Sequence, residues 1–321
     1  MKEINNQYYM NFGGDEVVYD YSDSGIIIVP VPYDETSTWM RGAEKGPDAI
    51  LEASVNLEFY DVETSSEAHL TGINTVEPVL EKETPEKLVN AVYDKTLSLL
   101  ADRKFTVIIG GNHTVTIGAI KAFSEYFDNL SVLQLDAHTD LRQEYEGSKF
   151  NHACAMARAR EFAPIVQVGI RSMSAGELPY IQKDRIFYAH ELYYDKKLYG
   201  RAIDNLSENV YITIDLDVFD PSVMPSTGTP EPGGPEYLEL LHFLRDVVRK
   251  KNVVGFDVVE LCPSPVNKMP DFVAAKIIYQ LLSYRFGNSQ PPLLKSASPQ
   301  PPDKSGQALP QEGGAKQKNI I

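Results

Sequence analysis

Two aspartates and a histidine follow an apolar run in the stretch LQLDAHTDLR, which covers positions 133 to 142. Asp136, His138 and Asp140 stand two positions apart, so in an extended chain their side chains would point to one side. Carboxylates that converge repel one another, and burial at a strand end adds a desolvation cost. A divalent cation would offset both the repulsion and the desolvation cost. The alternative is a polar turn after the strand, in which His138 is hydrogen-bonded locally.

Three other apolar runs end in residues of the same kind. YITIDLDVFDP places Asp215 and Asp217 two apart, FTVIIGGNHTVT places His113 after a Gly-Gly turn, and NVVGFDVVELCP places Glu260 near its end. In open parallel α/β sheets, ligands bind at the carboxyl ends of the strands. We therefore expect four strands to bring these side chains to one edge of a sheet.

The candidate metal ligands are four carboxylates and two imidazoles, namely His113, Asp136, His138, Asp140, Asp215 and Asp217. So many negative charges exceed what one ion needs and suit two divalent ions roughly 3.5–4 Å apart. Oxygen-rich ligation favours Mn²⁺ over Zn²⁺, and Mg²⁺ would keep more of its water than this set allows. The sequence therefore predicts a centre of two Mn²⁺ ions per chain.

The elements that would position these residues are eight short apolar runs rich in Val, Ile and Phe: 25–31, 71–76, 105–110, 131–136, 165–170, 185–189, 210–216 and 253–259. Segments with helical periodicity lie between most of them, at 46–60, 84–104, 152–162, 234–251 and 272–286. This alternation predicts an α/β fold of three layers (α/β/α), with a mostly parallel sheet of about eight strands.

The chain divides into a body and a tail of different composition. No repeat or linker interrupts residues 1–287, which we expect to form a single domain. From Asn288 on, Pro, Ser, Gln, Gly and Lys dominate, and too little apolar surface is left to offset the entropy of ordering. We therefore expect residues 288–321 to form a disordered, dispensable tail, with a recruitment segment as the alternative.

Charge and hydropathy exclude several classes of protein. The formal net charge is −15 at pH 7 and no basic stripe is present, which argues against a nucleic-acid partner. No apolar run approaches the roughly 18 residues of a membrane span, and the N-terminus lacks the apolar core of a signal peptide. The two cysteines show neither metal nor redox spacing. These features predict a cytoplasmic protein whose acidic surface suits small cations or simply maintains solubility.

The motifs GGNHT, DAHTD, DLDVFDP and DVVE, in this order, resemble those of the ureohydrolases, the family of arginases and agmatinases. The resemblance covers roughly residues 25–285 and includes the opening stretch VPYDETSTWMRGAEKGPDAI. It implies the arginase/deacetylase fold and a binuclear manganese centre at which a guanidino group is hydrolysed. It also implies two overlapping ligand sets: His113, Asp136, Asp140 and Asp215 for one ion, and Asp136, His138, Asp215 and Asp217 for the other.

Two further residues are predicted to act in catalysis. His152, in FNHACAMARA, matches the mobile-loop histidine of the family, which implies that it carries a proton to the leaving amine. Glu260 is expected to hold the guanidinium N–H groups through charge-assisted hydrogen bonds. The alternatives are a surface histidine that caps the following helix and a glutamate that forms a salt bridge at a strand end.

The expected substrate class follows from the same resemblance. Arginases carry an Asn two residues beyond their DAHTD-like motif, where this chain has Arg142, and the loop EYEGSKFNHACAMARA is similar to that of agmatinases. A small cationic guanidino compound is therefore expected, agmatine first, with putrescine and urea as the products of a polyamine-forming reaction. The alternatives are N1-aminopropylagmatine, which would give spermidine and urea, and another guanidino acid.

Two alternatives belong to other functional classes. A deacetylase on the same fold would need fewer ligands around a single ion. A non-catalytic metal-binding relative would act as a regulator or partner, although such relatives usually lack some ligands and all six are present here. The family resemblance also implies a homo-oligomer, either a trimer or a hexamer.

Overall fold

The computed structural model of the chain describes residues 2–4 and 7–287. The tail expected at 288–321 lies outside the described residues, so its disorder and the domain boundary at residue 287 stay predictions. Within the described ranges, no helix is long and apolar enough to cross a membrane.

A parallel sheet of eight strands forms the centre of the fold. A short antiparallel pair, β1 (Lys2–Ile4) and β2 (Gln7–Tyr9), precedes it. The strands of the large sheet are β3 (Ile26–Val31), β4 (Ile73–Thr75), β5 (Phe105–Gly110), β6 (Leu130–Leu135), β7 (Ile165–Ile170), β8 (Ile186–Tyr188), β9 (Asn209–Asp215) and β10 (Asn252–Val259). Their spatial order is β4-β3-β5-β10-β9-β6-β7-β8, with every neighbouring pair parallel. The predicted sheet of about eight strands is confirmed, and it is wholly parallel.

Helices cover both faces of the sheet. Among the described residues they are α1 (Gly46–Ser54), α2 (Pro85–Ala101), α3 (Val115–Tyr126), α4 (Ala155–Ala159), α5 (Ala189–Tyr194), α6 (Lys197–Asp204), α7 (Tyr237–Lys250) and α8 (Met269–Phe286). One buried core contains residues of α1, α7 and α8, such as Ile50, Leu244 and Ile277. A second core contains residues of α2 and α3, such as Val92 and Ile120. The three predicted layers are therefore present.

Each central strand contributes side chains to both cores. In β5, Val107 and Ile109 belong to the first core and Ile108 to the second. Because both faces are covered, all six residues of β5 are buried. This explains why the strands appear in the sequence as continuous apolar runs and not as alternating patterns.

The four strands predicted to carry functional side chains are consecutive in the middle of the sheet, in the order β5-β10-β9-β6. His113 follows β5, Glu260 follows β10, Asp215 ends β9 and Asp136 follows β6. Val259 pairs with Asp215 in the register of β10 and β9, so these two strands end at the same level. The topology therefore gathers their carboxyl ends at one edge, as predicted.

Several helices differ from the prediction. α1 ends at Ser54, because the N–H groups of Asn56 and Leu57 donate to the carbonyls of Ala53 and Ser54, three positions back, and so form turns that do not continue the α-helix. The segment 152–162 forms a 3₁₀ turn and then only the five residues of α4. α5 and α6 were not predicted, because six and eight residues are too few to give a clear period.

Candidate metal centre and active site

His113 faces three carboxylates at the carboxyl edge of the sheet. Its Nδ1 lies 3.2 Å from Asp136 Oδ2, 3.0 Å from Asp140 Oδ2 and 3.3 Å from Asp215 Oδ2. All four side chains are buried, and Nδ1 is not in hydrogen-bond geometry with any of these oxygens. The four ligand atoms converge on a common space, which is the arrangement expected around a cation.

A second group of ligand atoms lies beside the first. His138 Nδ1 is 2.9 Å from Asp217 Oδ2 and 3.7 Å from Asp136 Oδ1. Nε2 of the same ring lies 3.7 Å from Glu231 Oε1. The structure therefore brings all six predicted ligands together, in two groups that share Asp136.

Backbone N–H groups hold one oxygen of three of these carboxylates. Oδ1 of Asp136 accepts from the His138 N–H at 2.5 Å, Oδ1 of Asp215 from the Asp217 N–H at 2.9 Å, and Oδ1 of Asp217 from the Ala137 N–H at 3.0 Å. The other oxygen of each carboxylate lies within 3.3 Å of a histidine nitrogen. The backbone thus fixes each of the three carboxylates by one oxygen, and the second oxygen of Asp136 also accepts from the Gln134 side chain at 2.6 Å.

The stretch 136–140 is not extended, contrary to the prediction. β6 ends at Leu135, and Asp140 has a φ of 51°, in the left-handed region. The N–H of His138 donates to the carboxylate of Asp136 two positions earlier, and His138 forms an isolated parallel bridge with Ser172, so the chain bends after β6 but still runs beside the segment that follows β7. The alternative of a polar turn describes the backbone correctly, yet His138 contacts Asp217 on a different strand end and not only local groups.

Burial concentrates negative charge in this cluster. Burial and the charges of Asp217 and Asp136 raise the pKa of Asp215 well above its usual range. Burial and the charge of Asp136 also raise the pKa of Asp140 to about 6. Burial disfavours a charged His113, yet the neighbouring carboxylates raise its pKa well above the ordinary value. Added positive charge would stabilise such a cluster, and its carboxylate oxygens and imidazoles fit two divalent cations.

A cavity of about 290 Å³ opens above the two groups. Its wall includes Asp215, Asp217, Glu260 and His152, and Trp39, which is 76% exposed, lies at its rim. The volume is close to the lower end of the range for small-molecule pockets, roughly 300–1,000 Å³. The cavity therefore suits one small ligand, and its acidic wall suits a cation.

Glu260 is held between the metal-ligand loop and the cavity. Its Oε1 accepts from the His113 N–H at 2.7 Å, and its own N–H donates to the Gly111 carbonyl at 2.8 Å. Its φ of 67° is uncommon for a residue other than glycine. Burial raises the pKa of Glu260 to about 8. In the described part of the chain no lysine or arginine pairs with Glu260, so the alternative of a strand-end salt bridge is not observed.

His152 lines the cavity beside Tyr145, with the two rings edge to face and their centres 6.1 Å apart. The 3₁₀ turn that begins at His152 is capped by Asn151, whose side chain accepts from the Ala153 N–H at 3.1 Å. His152 is therefore not the capping residue of the alternative prediction. Burial and the nearby positive charge of His113 lower the pKa of His152 to about 4, so its imidazole is neutral near pH 7.

Arg142 also lines the cavity, and Glu177 partly balances its charge. Nε of Arg142 lies 4.0 Å from Glu177 Oε2, and its guanidinium lies 4.5 Å from the ring centre of Tyr145. Glu177 is buried and also accepts hydrogen bonds from the Thr139 hydroxyl and the Leu141 N–H. Arg142 therefore repels a cationic ligand less than an isolated arginine would.

Arg171, which sequence reasoning missed, holds the loop that carries Asp217. Its guanidinium donates to the carbonyl oxygens of Asp217 (2.7 Å), Val218 (3.0 Å), Phe219 (3.1 Å) and Glu231 (2.7 Å). The planar fork of N–H donors suits this task, which a lysine could not perform. No sequence signal marks Arg171, because its partners are backbone atoms, most of them 46 to 61 positions away.

Comparisons with known proteins agree on one family. A model of the Arginase family matches residues 24–283. The N(1)-aminopropylagmatine ureohydrolase of Synechocystis sp. is 37% identical over 286 residues, which cover 86% of this chain and 93% of that protein. The agmatinase of Pyrococcus horikoshii is 30% identical over 279 residues, which cover 85% of this chain and 96% of that protein.

A solved structure extends this agreement to three dimensions. The agmatine ureohydrolase of Thermoplasma volcanium matches with a TM-score of 0.78 and 29% sequence identity, covering 87% of this chain and 95% of that one. The resemblance carried by the four sequence motifs is thus confirmed. The chain belongs to the arginase family and is a ureohydrolase, a hydrolase that acts on guanidino groups.

Proposed function

We propose that this ureohydrolase cleaves a polyamine precursor and that N1-aminopropylagmatine is its preferred substrate, giving spermidine and urea. The relative from Synechocystis is named for this activity. Agmatine, placed first on the sequence motifs, becomes the second candidate, supported by the names of the proteins from Pyrococcus and Thermoplasma.

The observation that carries the proposal is the acidic cavity, which begins at the candidate metal ligands and opens at Trp39. A guanidinium bound near Glu260 would leave the rest of the substrate directed towards the open rim. N1-aminopropylagmatine has a longer chain than agmatine and one more ammonium group. The exposed indole of Trp39 supplies a partner for such a cationic chain.

The two groups of ligands are proposed to hold two Mn²⁺ ions. One ion would be bound by His113, Asp136, Asp140 and Asp215, and the other by Asp136, His138, Asp215 and Asp217. When bound, the ions would polarise water and supply a nucleophile near neutral pH. The predominance of carboxylate oxygen favours Mn²⁺ over Zn²⁺, which prefers fewer and softer ligands.

Glu260 is proposed to bind and orient the guanidinium. One of its oxygens is occupied by the His113 N–H, and the other lies beside Gly228 on the cavity wall. A buried carboxyl group with a raised pKa lacks a cationic partner, and a guanidinium would provide one. The contact would hold the guanidino carbon close to the metal-binding groups.

His152 is proposed to move the proton that the leaving amine requires. Water adds to the guanidino carbon, the bond from that carbon to the polyamine nitrogen breaks, and this nitrogen must leave with a proton. A neutral imidazole in the cavity wall can accept a proton from the attacking water and pass it to the amine.

Two other classes of function have less support. A deacetylase that uses one ion would leave one of the two ligand groups without a role. A non-catalytic metal-binding protein would need neither Glu260 nor His152 in the wall of the cavity. A deacetylase of this kind would bind one metal ion per chain and the proposed ureohydrolase two, so the amount of Mn²⁺ bound per chain separates these two classes.

Urea release by the Mn²⁺-loaded protein tests the substrate assignment, with N1-aminopropylagmatine, agmatine, arginine and guanidinobutyrate compared. We expect kcat/KM for N1-aminopropylagmatine to exceed that for agmatine about 10-fold, equivalent to about 1.4 kcal/mol of additional binding. Arginine and guanidinobutyrate should react poorly, because their carboxylates would face an acidic cavity. A preference for agmatine would favour the second candidate, and a preference for arginine would overturn the polyamine assignment.

Assembly into a trimer or hexamer and a cytoplasmic location stay predictions. Light scattering coupled to size-exclusion chromatography tests the first of them. A mass of three or six chains is expected, and a monomer at micromolar concentration would contradict it.

A further inference from the structure

A chain of buried hydrogen bonds leads from His113 into the sheet, away from the cavity. Nε2 of His113 lies 2.9 Å from Oγ1 of Thr213 on β9. The same hydroxyl donates to Oδ1 of Asp257 on β10 at 2.6 Å, and the Tyr211 hydroxyl donates to Oδ2 of Asp257 at 2.7 Å. None of these four side chains is more than 1% exposed.

The direction of these hydrogen bonds follows from the chemistry of the groups. A hydroxyl has one proton to donate, and a carboxylate only accepts. Burial and the charge of Asp257 raise the pKa of Tyr211 well above its usual range, so Tyr211 keeps its proton and donates it. Thr213 also donates to Asp257 and therefore meets Nε2 of His113 with a lone pair. Nε2 must carry a hydrogen, which leaves Nδ1 as the nitrogen that faces the candidate metal ligands.

We infer that Thr213 and Asp257 are positioning residues that hold His113 in the orientation and tautomer needed to bind a metal ion through Nδ1. The inference rests on the proposed metal centre and deepens it. Hydrogen bonds to the far side of a histidine ligand typically change metal affinity ~10–100-fold when they are removed. Only one of the two ligand groups contains His113, so the effect should be confined to one of the two ions.

The competing explanation is that these groups only stabilise the sheet. A buried aspartate inside an apolar strand must be hydrogen-bonded wherever it lies, and the hydroxyls of Tyr211, Thr213 and Thr116 satisfy Asp257. A structural role would alter the folding stability and affect both ions alike. A positioning role would weaken one ion selectively.

The test is a titration of the metal-free protein with Mn²⁺, followed by the electron paramagnetic resonance signal of the free ion. Thr213→Val keeps the shape of the side chain and removes its hydroxyl, and Thr213→Ser retains the hydroxyl. We expect Thr213→Val to raise one of two Kd values ~10–100-fold and to leave the other unchanged. Thr213→Ser should bind both ions as the unaltered protein does. Asp257→Asn, whose amide can donate to Thr213 and reverse the hydrogen bonds, should resemble Thr213→Val.

Tyr211→Phe is the matched control, because it removes a hydrogen bond from Asp257 without touching the contact between Thr213 and His113. It should lower the Tm and leave both Kd values unchanged. Unchanged binding of both ions by Thr213→Val would overturn the inference. Equal weakening of both ions by Thr213→Val and Tyr211→Phe would also overturn it, in favour of a structural role. Failure of the metal centre itself would be distinct, because the unaltered protein would then not bind two ions.

Discussion

The backbone N–H of His113 donates a hydrogen bond of 2.7 Å to Oε1 of Glu260, which stands 147 positions later in the chain. The bond joins the loop after β5 to the residue after β10, and these two strands are neighbours in the sheet. It fixes the Glu260 carboxyl group beside the candidate metal ligands and leaves its second oxygen at the cavity wall. This contact and the bond from the Glu260 N–H to the Gly111 carbonyl thus fix the proposed guanidinium site relative to the proposed metal centre.

Glu260→Gln should keep the shape of the side chain and its bond to His113 while it loses the charge. We expect kcat/KM to fall about 10²-fold, with KM raised and kcat lowered, because Glu260 both binds and orients the guanidinium. Steady-state urea release measures both constants, and the bound Mn²⁺ should be unchanged. Glu208→Gln, at an exposed position, is the control. If Glu260→Gln had the kcat and KM of the unaltered protein, Glu260 would not bind and orient the guanidinium.

His152→Ala should lower kcat ~10²–10⁴-fold with little change in KM or bound Mn²⁺, because His152 is assigned to proton transfer alone. Added imidazole should restore part of the rate. Discontinuous assays of urea release at several substrate concentrations measure kcat and KM. His242→Ala, at an exposed position, is the control. Loss of metal would instead make His152 a ligand, and a change in KM alone would assign it to substrate binding.

The stability of the protein should decline at acidic pH partly because of His152. Its pKa is lowered from 6.5 to about 4, so between these values the unfolded chain binds a proton at this position and the folded chain does not. Stability is therefore lost as pH falls through this window. In His152→Gln the decline in unfolding free energy from pH 7 to 4.5 should be smaller by about 2 kcal/mol. Denaturant titrations of both proteins measure it, and equal declines would contradict the assigned burial.

Arg171→Lys should destabilise the fold and weaken one metal ion. The guanidinium of Arg171 donates to six backbone carbonyl groups, whereas a lysine ammonium has three N–H donors, so about three lost hydrogen bonds of about 1 kcal/mol each sum to about 3 kcal/mol. The affinity of the protein for the Mn²⁺ ion that Asp217 is proposed to bind should also fall. Denaturant unfolding and Mn²⁺ titration measure the two effects. The exposed Arg249→Lys is the control, and equal stability of the two variants would show that Arg171 does not hold the loop.

The fold was largely predictable, because its central strands are buried on both faces. β5 and β7 were predicted at 105–110 and 165–170, the ranges that the structure shows. Their continuous apolar runs separate them clearly from the helices. The turn at Asp140 was not predictable, because its left-handed backbone depends on contacts made after the chain folds, such as that of its carbonyl with the Ala157 N–H.

The site was predictable only where side chains stand at strand ends. The six candidate ligands follow apolar runs, and this position marks them in the sequence. Asp257 lies inside such a run, and an aspartate there signals a buried polar group that needs partners. Its partner Thr213 carries no such signal, because a threonine is common in any strand. Arg171 acts through backbone atoms, which no pattern of residue types reveals.

The most direct test of the central claim is urea release measured while metal-free protein is titrated with Mn²⁺ in the presence of N1-aminopropylagmatine. Urea release should rise and level off at two Mn²⁺ per chain, and Asp136→Asn, which alters a ligand that both proposed ions share, should release none. A plateau at one Mn²⁺ per chain, or urea release that does not depend on added metal, would contradict the binuclear centre on which this account depends.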